Sequence, residues 1–315
     1  MNRCITGDCR TVLKTLEPES VHCVVTSPPY WGLRDYGVAD QIGLEASPQE
    51  YVAQMVAVFR ETRRVLRDDG TLWLNIEDSY AASPKGSLNG QDKSGLTSTR
   101  TQVNAPTGIN KLAIGLKPKD LVGIPWRVAF ALQADGWYLR QDIIWSKPNP
   151  MPESVRDRCT KAHEYLFLLA KSERYYFDAD AISEDFVSEP TAPRDKRNEG
   201  YGAAFLTPLG AGLRSGYENG KRNKRSVWNV ATQPYAEAHF ATFPPALIEP
   251  CILAGSRPGD VVLDPFFGSG TTGAVCERLG RQWLGIEINP EYVALAERRT
   301  AQQGLVLARQ EEIGI

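Results

Sequence analysis

Val21-His22-Cys23-Val24-Val25 runs directly into Thr26-Ser27-Pro28-Pro29-Tyr30. A β-branched apolar run that stops at a polar residue and two prolines reads as a buried strand ending at a sheet edge, because proline cannot continue the ladder. Open α/β sheets place their ligand sites at such strand ends. Ser27 and the carbonyl of Pro28, held stiffly by two rings, set two hydrogen-bond acceptors side by side, and Tyr30 adds an aromatic face for a flat ring. Such a site suits a planar amine.

A second informative stretch lies near the other end of the chain. The strand Asp260 to Leu263 leads into Asp264-Pro265-Phe266-Phe267-Gly268-Ser269-Gly270-Thr271-Thr272-Gly273, then a helix from Ala274 to Leu279 and a strand from Gln282 to Ile286 ending at Glu287. Glycines at a strand-to-helix turn let the backbone approach a ligand closely, and an acid at the tip of the next strand can grip two ribose hydroxyls. This is a nucleoside-binding βαβ unit. Gly268, Gly270 and Gly273 also satisfy GxGxxG with Glu287 at a dinucleotide-like distance, so an NAD-dependent oxidoreductase stays open at this point. No lysine follows Gly270, which removes the P-loop reading.

Between these ends the pattern alternates. Arg3 to Thr6 predicts a strand, followed at Gly7-Asp8 by a short helix for which Asp8 is a cap or a ligand group. Apolar spacing predicts a helix over Pro48 to Leu66, closed by Asp68-Asp69-Gly70, with Arg63, Arg64 and Arg67 as helix-end charges. Strands follow at Thr71 to Ile76, Tyr138 to Trp145 and Ala162 to Ala170, with a helix over Leu121 to Ala134. A parallel sheet is the economical solution. Trp31 to Gly37, rich in aromatics and bracketed by glycines, reads as a mobile loop over the site.

Two stretches break the pattern. Residues 80–118 are polar and carry Lys85, Lys93, Arg100, Lys111 and Lys117 against Asp92, which suggests a flexible basic arm. Between Thr191 and Val227, inside the second stretch 178–233, Arg194, Lys196, Arg197, Arg214, Lys221, Arg222, Lys224 and Arg225 face Asp195, Glu199 and Glu218, with glycines and aromatics between and beside them. Basic residues on a pliant scaffold suit phosphate contact with some base-edge readout. Residues 1–79, 119–177 and 234–315 are then the core, with 80–118 and 178–233 inserted into it.

Composition narrows the class. A formal net charge of -2 over 315 residues excludes a histone-like coat, so nucleic-acid contact must come from local patches. Six cysteines without a CxxC pair suit a reducing cytoplasm, and three scattered histidines give no metal-ligand spacing. No apolar run approaches a membrane span and no secretory h-region opens the chain, so an intracellular protein without a metal is expected.

Ser27-Pro28-Pro29-Tyr30 resembles the catalytic motif of DNA amino-methyltransferases, and Asp264-Pro265-Phe266 before the glycines resembles their S-adenosylmethionine site. Catalytic motif before cofactor motif is similar to the permuted β group of that family, with target recognition between the two. The resemblance covers the whole chain except the two insertions. It implies an α/β Rossmann-like methyltransferase sheet, circularly permuted, with an inserted target-recognition region.

The same resemblance implies residue roles. Ser27, Pro28, Pro29 and Tyr30 would be catalytic. Asp8, Thr242, Phe243, Asp264, Phe266, Gly268, Ser269, Gly270, Thr271 and Glu287 would hold S-adenosylmethionine, with Asp8 near its adenine. Lys147 and Asn149 would flank the target-base pocket, and Arg34 joins Arg194, Lys196, Arg197, Lys221, Arg222, Lys224 and Arg225 as a DNA contact. The substrate would be double-stranded DNA, with the base flipped out and methylated at adenine N6 or cytosine N4, and a homodimer is the expected assembly. The absence of a Pro-Cys nucleophile motif fits direct transfer. An RNA or protein-amide methyltransferase is the alternative.

Overall fold

The computed structural model describes residues 2–33, 35–81, 111, 115–185, 221–233 and 242–313. Arg34, Arg194, Lys196, Arg197, Arg214 and most of the 80–118 arm lie outside the described residues.

Ten strands and six helices follow one another along the described chain: β1 (Arg3–Thr6), α1 (Cys9–Val12), β2 (Val21–Thr26), α2 (Pro48–Val65), β3 (Leu66–Ile76), α3 (Ile124–Ala134), β4 (Tyr138–Ser146), β5 (His163–Ala170), β6 (Glu184–Asp185), β7 (Lys221–Arg222), β8 (Val227–Asn229), α4 (Pro245–Gly255), β9 (Val261–Asp264), α5 (Thr271–Arg278), β10 (Gln282–Glu287) and α6 (Pro290–Ile313). Eight of the strands form one sheet in the order β1-β10-β9-β2-β3-β5-β4-β8. All neighbours pair parallel except β5, which runs against both β3 and β4. β6 and β7 make a separate antiparallel pair.

Alternation along each strand sorts side chains into two cores, as the two-residue period of a strand demands. Val24, Leu72, Leu74, Phe167, Leu169, Leu263 and Ile286 face α2 and α3. Cys23, Val25, Trp73, Leu166, Leu168, Val262 and Trp283 face α4, α5 and the start of α6. Both faces of the sheet are therefore covered, which is why its central strands read as continuous apolar runs. Capping of α2 follows its sequence: Ser47 accepts from Glu50 N at 3.2 Å, Pro48 opens the first turn, and Tyr51, Met55, Val58, Phe59, Thr62 and Val65 are buried on one stripe. Arg64 at its end donates to the carbonyls of Leu13 and Leu16, and Arg63 to that of Lys171. These arginines tie the helix end to neighbouring loops, as expected of helix-end charges.

The permutation has a physical seam. β9 lies beside β2 although 238 residues separate Thr26 from Asp264. With β10 and β1 on one side and β3 on the other, the sequence order reverses at this seam. Ligands of doubly wound sheets bind at such a reversal.

Two expectations change. Trp31 is 1% exposed, with Nε1 donating to Glu45 O at 2.9 Å, and Gly32 N donates to Gly43 O, so the segment after Tyr30 begins as a packed corner rather than a mobile loop. The stretch 178–233 does not stay outside the core: β8 adds to the sheet edge, with Trp228 buried and Ile144 N donating to Ser226 O. α4, preceded by Pro244, holds Pro245 at its start and Pro250 inside. It forms because apolar side chains nearly surround it, including Leu247, Ile248, Cys251 and Ile252.

Gly285 in β10 shows how close the packing is. A Cβ there would lie 2.3 Å from Phe267 Cγ, whose ring stacks on Trp283 with centroids 5.0 Å apart. Gly285→Ala is expected to lower unfolding free energy by about 1–3 kcal/mol through overpacking, read by urea denaturation. An unchanged midpoint would contradict this packing.

Candidate active site

The seam between β9 and β2 ends at a buried carboxylate. Asp264, 1% exposed, accepts from Thr26 Oγ1 at 2.6 Å, Phe266 N at 3.0 Å and Thr272 Oγ1 at 2.7 Å. One side chain thus joins the strand that leads to Ser27, the start of the glycine turn and the first turn of α5. Burial pushes its pKa up to about 6, and the three hydrogen bonds hold the rise in check. Asp264 was expected among the cofactor contacts; both its oxygens face protein donors, so the support it can give a ligand runs through the turn it shapes.

Immediately beyond Thr26, Ser27 Oγ donates to Tyr30 Oη at 3.0 Å. Tyr30 Oη donates to Glu164 Oε2 at 2.8 Å and lies 3.1 Å from Asn75 Oδ1. Asn75 Nδ2 donates to the same Glu164 oxygen at 3.0 Å and to Tyr165 O, while Lys147 Nζ donates to Glu164 Oε1. Tyr51 Oη holds the Pro29 carbonyl at 2.9 Å, which fixes the double-proline turn from the α2 side. Burial, then the charges of Glu164 and Glu77, push the Tyr30 phenol well above its ordinary range, so it stays a donor. Glu77 is itself raised by burial and by Glu164, and Lys161 pairs with it at 3.1 Å.

The glycine turn faces the neighbouring strand tips. Glu287 at the end of β10 accepts from Gly268 N and Asn289 N, each at 2.8 Å, and burial raises its pKa. Gly268 has φ +53°, and an added Cβ would meet nothing closer than Phe266 O at 4.0 Å, so the turn opens onto free space there. Ser269 and Thr271 are buried and both hydroxyls bond Arg299 of α6, so these two expected contacts can reach a ligand by backbone. Gly270 packs its α-carbon against Ala296, and Phe266 is half-buried at the rim. Gly7 N donates to Glu287 O, which places Asp8 beside the acid as expected. Asp8 also caps α1 through Arg10 N at 2.8 Å and pairs with the Arg10 guanidinium. Burial acts to raise its pKa, but Arg10 outweighs that and holds the carboxyl below its usual range. Beyond Arg10 lies a cavity of about 600 Å³ bordered by Asp40, Gln41, Glu45 and Gln54. Thr242 and Phe243 are half-buried just before α4, and Phe243 packs on the second core.

The expected DNA contacts divide. Lys147 is half-buried, pairs with Glu164 and lies 4.6 Å over the Trp145 ring, so it stands with the Glu164 network rather than at a phosphate. Asn149 spans Thr232 N and O, pinning the turn after β4 to the chain beyond β8. Arg222 and Arg225 both pair with Glu184, and Lys224 lies 5.0 Å over the Trp228 ring, leaving Lys221 exposed on β7.

The DNA methylase family of N6 and N4 amino-methyltransferases matches residues 21–298. The type II methyltransferase M.Cfr9I of Citrobacter freundii is 51% identical over 293 residues, covering 93% of this chain and 85% of the relative. M.SmaI of Serratia marcescens is 50% identical over 295 residues, with 94% and 89% covered. This chain belongs to the N6/N4 DNA methylase family. As such it is an S-adenosylmethionine-dependent DNA amino-methyltransferase with type II relatives. Its fold is shared with the cytosine-N4-specific PvuII DNA methyltransferase, at TM-score 0.63 and 20% identity over 95% of this chain and 86% of that one. A DNA modification methylase of Thermus thermophilus, solved in complex with S-adenosyl-L-methionine, also shares it, at TM-score 0.59 and 24% identity over 96% and 94%.

For this methylase, the open turn at Gly268 between Glu287 and Phe266 fits a nucleoside-bearing methyl donor, which would supply an electrophilic methyl group on sulfur. Glu164 and Asn75 were not singled out from sequence as site residues. The antiparallel pairing of β5 with β3 brings them to Tyr30.

Asp264 gives a pH signature. Its folded pKa of about 6 lies above the ordinary 3.8, so it favours the folded state fully below about pH 4 and this contribution, about 3 kcal/mol, is lost as pH rises through 6. Asp264→Asn cannot titrate. Urea unfolding of both proteins is expected to shift the stability difference toward the variant by that amount between about pH 4 and pH 7.5, whereas a difference independent of pH would contradict the buried ionisation.

Proposed function

We propose that this methylase transfers a methyl group to the exocyclic amine of one flipped adenine or cytosine at a short target in duplex DNA. The observation that carries the reading is the placement of Ser27 and the Pro28 carbonyl at the tip of β2, beside the nucleoside turn across a seam closed by Asp264. The amine is a poor nucleophile because its lone pair is delocalised into the ring. Acceptors at Ser27 and Pro28 would hold its two hydrogens, favour a pyramidal nitrogen and aim the lone pair at the methyl group.

A base in a duplex cannot reach this turn, so extrusion is required, with Tyr30 stacking on the flipped ring. The exposed Lys221 on β7 supports a phosphate-facing side, and the curated relatives support DNA over RNA or a protein amide. Asp8 and Glu287 would hold the adenosine part of the methyl donor, with Gly268 and Phe266 beside it and Thr242 and Phe243 toward its amino-acid end. A homodimer is carried forward from the family resemblance.

Incubation with S-adenosylmethionine and unmodified DNA, followed by digestion and mass spectrometry of the nucleosides, is expected to show N6-methyladenine or N4-methylcytosine. DNA left unmodified by protein that binds the methyl donor would contradict a DNA substrate. Tyr30→Ala is expected to lower turnover by at least about 10²-fold while sparing methyl-donor binding by calorimetry. Normal turnover in this variant would remove Tyr30 from the site.

A further inference from the structure

Methylation of an exocyclic amine creates one surplus proton. The amine enters with two N–H bonds and leaves with one, so a proton must pass to the protein or to water. Around Ser27 the hydrogen bonds run one way: Ser27 Oγ donates to Tyr30 Oη at 3.0 Å, and Tyr30 Oη donates to Glu164 Oε2 at 2.8 Å. Because the only hydroxyl proton of Ser27 points at Tyr30, its lone pairs are free to face the target amine. The inner end of this chain is a carboxylate only 5% exposed, fixed by Asn75 Nδ2 on one oxygen and by Lys147 Nζ on the other.

We propose that Ser27, Tyr30 and Glu164 form a relay that carries the surplus proton inward from the target amine, with Glu164 as a positioning residue that acts through Tyr30. The proposal rests on the methyltransferase reading above. As the nitrogen lone pair forms the new N–C bond, the C–S bond breaks and its electron pair stays on sulfur. The nitrogen becomes positive and its proton passes to Ser27 Oγ. Ser27 passes its own proton to Tyr30 Oη, and Tyr30 passes its own to Glu164 Oε2. The positive charge of the sulfonium and the negative charge of the carboxylate disappear together, and Glu164 gives its proton to water when product leaves.

The net transfer runs downhill, because a protonated ring amine is a far stronger acid than a carboxylic acid. The Tyr30 phenol, raised by burial and by its acidic neighbours, remains protonated at rest and never needs to exist as a tyrosinate if the shifts are concerted. The charged groups around Glu164 are Lys147 from the end of β4, Glu77 from the end of β3, and Lys161, which pairs with Glu77.

Tyr30→Phe separates this role from stacking, since it keeps the ring and removes the hydroxyl link. Glu164→Gln is the second variant. Single-turnover methylation of a short duplex is measured beside DNA affinity by fluorescence anisotropy and base extrusion by a fluorescent base placed next to the target. Both variants are expected to lose about 10²-fold in the single-turnover rate, with affinity and extrusion within about twofold of wild type. The wild-type rate is expected to slow in D₂O, and this isotope effect to change in Tyr30→Phe. A wild-type rate in Tyr30→Phe overturns the relay and leaves stacking alone. Loss of rate that merely follows loss of affinity or extrusion also overturns it. Wild-type protein that leaves DNA unmethylated overturns the functional reading and the relay together, so the two failures are distinct.

Discussion

The carboxylate of Asp264 is the interaction on which the site depends. β9 and β2 share only two register pairs, Cys23 with Val262 and Val24 with Leu263, yet this short seam brings the double-proline turn after Thr26 beside the glycine turn after Asp264. Side chains fasten it at both ends. At the start of the strands Val261 N donates to His22 Nδ1 at 3.1 Å, and His22 Nε2 lies 3.3 Å from Asp260. At the far end Thr26, Phe266 and Thr272 converge on Asp264. A buried carboxylate is costly unless its lone pairs are met, and here three donors from three elements meet them. The arrangement is stable only when those elements are in register, so it links correct packing to correct alignment of Ser27 with the glycine turn.

The second layer of organisation is polar and lies beside the apolar core. Glu164 takes hydrogen bonds from β2-derived Tyr30, from β3-derived Asn75 and from β4-derived Lys147. Such a network in a low-dielectric setting holds each member in one orientation when fully satisfied. Its effect is to fix the Tyr30 ring and to direct the Ser27 proton inward. In this way the side chains at the sheet edge are held in place by one another rather than left to find their place.

Much of this was legible in the sequence, for identifiable reasons. Strand β2 ends where two prolines stop it, α2 is bounded by Ser47, Pro48 and a basic last turn, and β9 leads into glycines that only a tight turn requires. The reversal of motif order implied that the two chain ends meet, and β1, β10 and β9 lie side by side as that order demands. What stayed hidden depends on distant pairing. The partners of Glu164 meet it only once β5 turns antiparallel to β3, and Val227 to Asn229 shows no strand signal because three residues at an edge carry no periodicity. Pro250 lies inside α4, where burial among apolar neighbours outweighs the local preference of proline. The partners of Lys147 and Asn149 were not legible, since Glu164 and Thr232 reach them only through the folded sheet.

The most direct test of the account is a double-mutant cycle on the seam, combining Thr26→Val with Asp264→Asn and reading single-turnover methylation of duplex DNA. If the Asp264 clasp aligns the two halves, the double variant loses no more than the more damaged single variant, with a coupling of about 1–3 kcal/mol between the sites. Losses that simply add, or full methylation rates in all three variants, would show that the alignment of Ser27 with the cofactor turn does not depend on this contact.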